Sequence, residues 1–100
     1  MTNGAKQATL ITAVAVYLPE QYGRLLATAE DADKLNPTWE EWRTVCEETN
    51  RNMRSIGIEP VDVLVDMDEF EKYCAERGLK NAGGTRAEYV AERLNQASQR

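Results

Sequence analysis

Val61-Asp62-Val63-Leu64-Val65-Asp66-Met67-Asp68-Glu69-Phe70 reads as a strand running into a helix. Three valines share one parity; Asp62, Leu64 and Asp66 share the other. That period of two is the mark of a strand with one face in a core. Asp66 stands three residues before Glu69, the spacing of a capping box, and Asp68 is a second candidate cap. Phe70, Tyr73 and Cys74 continue as the apolar face of the helix, and Gly78 closes it. This stretch decides the fold because the chain repeats it. Ala13-Val14-Ala15-Val16-Tyr17-Leu18 alternates in the same way, with Val14, Val16 and Leu18 on one parity. Pro19-Glu20-Gln21-Tyr22 then opens a helix, as Met67-Asp68-Glu69-Phe70 does, with Pro19 suited to its first turn. Tyr22, Leu25, Leu26 and Ala29 fall on one face of it.

The repeat continues past these helices. After a polar connection, Thr38-Trp39-Glu40-Glu41-Trp42 predicts a second helix with Thr38 as cap and Glu41 completing the box. Trp42, Val45, Cys46, Thr49, Met53 and Ile56 form its apolar stripe, and Gly57 stops it. The counterpart is Thr85-Arg86-Ala87-Glu88-Tyr89, where Thr85 is the expected cap and Tyr89, Val90, Leu94 and Ala97 the apolar face. Glu59-Pro60 breaks the chain between the copies. The reading is a single domain over 8–97, a pseudo-repeat of 13–57 and 61–97, with a flexible tail at 1–7 and a frayed end at 98–100. The expected fold class is α+β, mostly helical: two β-α-α units in tandem, a two-stranded antiparallel sheet, and four helices on one face. An isolated strand needs a partner. The expected core is Val16, Leu25, Leu26, Trp42, Val45, Cys46, Val63, Val65, Phe70, Tyr73 and Leu94.

A strand, a short helix, a turn and a second helix resemble the ribbon-helix-helix unit, here in tandem and covering nearly everything after Thr12. The resemblance implies antiparallel strands paired about a pseudo-two-fold, and a DNA-binding regulator or antitoxin. The sequence departs from the family in two ways. The connections before Thr38 and Thr85 are longer than the family's turn. Its outward strand face carries Arg, Lys, Gln or Asn for base edges, whereas here that face would be Ala13, Ala15, Tyr17 and Asp62, Leu64, Asp66. Two aspartates would meet phosphates.

Composition points the same way. The 100 residues include 17 acidic and 12 basic side chains, a net charge of -5, which opposes a long nucleic-acid footprint. No histidine is present to serve as a general base or metal ligand. There is no nucleophile elbow and no phosphate-binding Gly-x-x-x-x-Gly-Lys loop. Asp62, Asp66, Asp68 and Glu69 cluster, but their spacing fits no calcium loop, and helix capping accounts for them. Cys46 and Cys74 lie at apolar helical positions and are expected as reduced thiols, in a cytoplasmic setting. The apolar run at 8–18 is too short to span a bilayer.

These features predict a protein that is not an enzyme, takes no cofactor or metal, and recognises an unidentified protein. It would be a monomer or homodimer, with no membrane partner and nucleic acid not expected. The candidate partner surface is Tyr17, Asp62, Leu64 and Asp66 on the outward sheet face, with Trp39 beside it. A candidate anion site is the loop into the last helix, Lys80, Gly84, Thr85 and Arg86, where free backbone N–H groups and two cations converge.

Overall fold

Strands and helices follow the expected order in this computed structural model, which describes residues 10–98. The expected tail at 1–7 lies outside the described residues, as do Gln99 and Arg100. Strand β1 is Leu10–Val16, and helix α1 is Pro19–Thr28. A 3₁₀ turn, Ala32–Lys34, leads to α2, Trp39–Ser55. Strand β2, Ile58–Leu64, is followed by α3, Met67–Arg77, and α4, Gly83–Ser98.

The two strands pair in parallel, not antiparallel: Leu10 lies opposite Ile58 and Val16 opposite Leu64. Chain lengths explain the correction. The 17-residue helix α2 spans about 25 Å. A seven-residue strand covers about 23 Å. Helix α2 therefore carries the chain back to the starting end of β1, and β2 enters in the same direction. No pseudo-two-fold relates the units, and the antiparallel ribbon that the DNA-binding resemblance implied is not formed.

Parallel pairing also fixes which face is which. Ala13 pairs with Val61 and Ala15 with Val63, so those residues share a face. This is the core face: Ala13, Ala15 and Val63 pack on the buried cluster. Tyr17, expected to point outward, is only 4% exposed. The parity of β1 is thus the reverse of expectation, and Val14 and Val16 lie on the other face. The physical reason is helix α4, which packs against β1. Helix α4 lies close along β1, and the small Ala13 and Ala15 side chains let helix and strand approach. Tyr17 then fills the space beyond the strand, with its ring 5.5 Å from that of Trp42 and 6.2 Å from that of Tyr22.

The core proper runs through α1, α3 and α4. Phe70, Leu25, Met67, Val65 and Val90 are fully buried. The Tyr89 ring stands edge-on to Phe70 at 5.2 Å and to Tyr73 at 4.9 Å. Such pairs add to the area they bury. Val45 is a miss: it is 45% exposed. The inner stripe of α2 is Trp39, Trp42, Cys46, Asn50 and Met53, all half-buried. Nor do all four helices lie on one face, since Cys46 and Asn50 border a cavity with Val16 and Asp62 of the opposite face.

The helix ends follow local chemistry. Thr38 Oγ1 accepts from the Glu41 N–H at 3.1 Å. Asp66 Oδ1 accepts from the Asp68 and Glu69 N–H groups at 2.9 and 3.3 Å. Gly57 and Gly78 hold φ of 88° and 66°, the left-handed region that favours glycine after a helix. Thr85 is not a cap: α4 begins at Gly83, and the Arg86 N–H already bonds the Ala82 carbonyl at 2.9 Å. Cys46 and Cys74 are free thiols.

Candidate functional site

The loop expected to hold an anion is already supplied with one by the chain. Arg86 is buried, with Nη2 donating to Asp31 Oδ2 at 2.8 Å and Nη1 to Asn81 Oδ1 at 2.7 Å. The Asp31 carboxylate thus sits beside the start of α4, where helix N–H groups favour negative charge. The Arg86 hydrogen bond holds the Asp31 carboxyl below the usual carboxylate range. Lys80 pairs with Glu30 at 3.2 Å. Gly84 is exposed in the first turn, and Thr85 lies within the helix. Arg86 is spent on a buried carboxylate and Lys80 on a surface one, and the Arg86 cluster ties the end of α1 to the start of α4.

The acidic cluster is also accounted for locally. Asp66 caps α3, as above. Arg24 bridges Asp68 Oδ1 and Glu71 Oε1, each at 2.5 Å, and Arg93 reaches Glu69 at 3.4 Å. Among the described residues, no group of three or more cysteines and carboxylates gathers as metal ligands.

The candidate partner surface divides. Tyr17 is core, and burial pushes its hydroxyl pKa up to about 12. Trp39 is half-buried and fixed: its indole N–H donates to the Tyr17 carbonyl at 2.7 Å, and the Arg43 guanidinium lies 5.5 Å from its ring. Asp66 is occupied as a cap. Leu64 and Asp62 remain open, with Leu64 56% exposed. Leu18, at the same end of the sheet, is exposed beside them. Between this face and α2 lies a cavity of about 180 Å³, walled by Trp39, Trp42, Val16 and Cys46, with Asp62 at its rim. Burial, then the Asp62 charge, pushes the Cys46 thiol up, so it is a poor nucleophile.

What the sequence did not mark is the state of the two strand edges. Along a strand, the N–H and C=O of one residue point to one side and those of the next to the other. The Leu10 N–H donates to Gly57 O at 3.1 Å, and Val16 O accepts from the Val65 N–H at 2.9 Å. Even-numbered residues of β1 therefore face β2. Ile11, Ala13 and Ala15 turn their peptide groups outward, where no described residue meets them. On β2 the outward residues are Ile58, Pro60, Asp62 and Leu64. Pro60 thus costs the ladder nothing, since its missing N–H is on the outer edge, the place where strands tolerate proline. The β2 edge is broken by Pro60 and charged by Asp62, as protected edges are; the β1 edge has neither device. A signal existed: β1 has no charged residue.

No helix among the described residues is long and apolar enough to cross a membrane. No protein-family model, curated protein or solved structure matches this chain.

Proposed function

We propose that this chain is a non-catalytic binding protein that recognises another polypeptide through its two-stranded sheet. The observation that carries the reading is the apolar surface left uncovered along that sheet: Leu10, Ile11, Leu18 and Leu64 are all exposed. Parallel sheets are ordinarily covered on both faces, and two strands alone are marginal in water. Leu10 and Ile11 mark one end of this small sheet and Leu18 and Leu64 the other, so large apolar side chains are uncovered at both ends of an element that would ordinarily be buried. Five of the arginines, by contrast, pair with carboxylates, Arg86 in a buried pair and Arg24, Arg43, Arg54 and Arg93 at the surface. They offer little to a polyanion, and the net charge of -5 opposes one.

The test is Leu18→Glu with Leu64→Glu. Both side chains are exposed, so the double variant is expected to melt with the wild type. Affinity purification from the source cells should recover a protein with the wild-type chain that the variant loses. Identical recovery with the two chains would refute the reading, as would tight, salt-dependent binding of random duplex DNA.

A further inference from the structure

We propose that the outer edge of β1 is a docking strand for an extended, uncharged peptide segment, which adds as a third strand in the groove between β1 and α4. This rests on the polypeptide-recognition reading above and names the kind of partner and its site. Three observations carry it. First, Ile11, Ala13 and Ala15 present, at every second residue along one line, N–H and C=O groups that no described residue meets. Only another extended backbone offers donors and acceptors at that repeat. Second, a groove of about 400 Å³ runs beside this edge, lined by Ile11, Thr12, Ala13, Ala91, Leu94 and Asn95. It can take the alternate side chains of an added strand. Third, every residue of β1 and of the groove lining is uncharged. A charged segment would lose its hydration there without a counter-charge, so the fitting segment is apolar or neutral. Ile11, 66% exposed, and Leu10, 68% exposed, would be covered by it.

A second copy of the chain is the less suitable occupant. Pairing β1 with the β1 of a copy would set the two strands about 4.8 Å apart. Helix α4 packs across β1 in each copy, and two helices need about 8–10 Å between their axes. The helices would collide. A segment that brings no helix of its own avoids this.

The edge chemistry supplies a selective test. Ala13→Pro deletes one outward N–H and leaves every β1–β2 hydrogen bond in place, just as Pro60 does on β2. Dodecapeptides selected from a displayed random library against the full chain are expected to show uncharged, alternating apolar residues. Their affinity, read by fluorescence anisotropy, should fall at least tenfold for Ala13→Pro and for Ala91→Glu. On peptide binding, the amides of Ile11, Ala13 and Ala15 should become protected from hydrogen exchange, having been fast in the free chain. Failure to select peptides, equal binding by Ala13→Pro, or protection elsewhere would overturn the proposal. So would a dimer at micromolar concentration whose free-chain amides at Ile11, Ala13 and Ala15 are already protected. Loss of a protein partner with Leu18→Glu and Leu64→Glu, but not with Ala13→Pro, would sink the edge proposal alone and leave protein recognition standing.

Discussion

Replacing Arg86 by Met removes two charge-assisted hydrogen bonds and strands a carboxylate. The Arg86 side chain is 8% exposed and that of Asp31 24%. Breaking one partner out of a buried pair costs about 3–5 kcal/mol. Water can reach part of Asp31, so the lower end applies, ~3 kcal/mol. Methionine keeps most of the volume, so the loss is electrostatic and not a cavity. With a urea dependence of about 1–2 kcal/mol per molar, the unfolding midpoint should fall by roughly 2 M. Fluorescence of Trp39 and Trp42 reports the transition. The double variant Arg86→Met with Asp31→Leu should recover part of the loss, because no unpaired charge remains. Acid behaviour gives an independent check. The folded pKa of Asp31 is depressed, so its contribution is complete above the unfolded value, near 4. It is lost as pH falls through the folded value. In Arg86→Met that part of the acid destabilisation should disappear. A cost below about 1 kcal/mol, or an unchanged acid limb, would refute the assignment of Arg86 as an internal partner of Asp31 and return it to the surface.

Two further outcomes are expected. Phe70→Ala should cost about 4 kcal/mol and Trp42→Ala about 3 kcal/mol by chemical denaturation, because Phe70 is fully buried and Trp42 only half so; the reverse order would misplace the core. Burial raises all four tyrosines, Tyr17 to about 12. Absorbance should therefore show tyrosinate forming at higher pH in the folded chain than in the unfolded one, Tyr17 last, and stability, full below the unfolded value, should be lost as pH climbs through the folded values. Four groups titrating near 10 in the folded chain would contradict the packing.

Most helix ends were legible because their causes are local; the start of α4, expected at Thr85, was not. Thr38 and Glu41, Asp66 and Glu69, Gly57 and Gly78 act within a turn of themselves, and the sequence spacing states the geometry. The order of elements was legible for the same reason. The parity of β1 was not. With alanine on one side and valine on the other, both faces are apolar, and the larger side chains look like the core. The small ones were required instead, because α4 lies against them, and that demand comes from residues some 70 positions away. Strand direction was equally long-range, set by the length of α2 rather than by anything in the strands. Arg86 and Asp31 show the limit most plainly. The cation read as a waiting ligand site is neutralised by a carboxylate 55 residues away. Of the expected partner surface, Leu64 and Asp62 stayed outside, and Tyr17 did not.

Parallel pairing also governs how the chain must be assembled in time. The residues of β1 that bond to β2 have partners almost half the chain away, so the sheet has no hairpin to nucleate it. During synthesis β1 emerges well before β2, uncharged and without its sheet partner until α1 and α2 have been made and β2 follows. Loop closure has to precede any gain from pairing. Refolding should be slow for a chain this helical, and the two repeats cannot mature one after the other. A fragment ending at Gly57 would expose a strand with nothing to pair it. The two β-α-α segments therefore form one cooperative unit in which each strand requires the other.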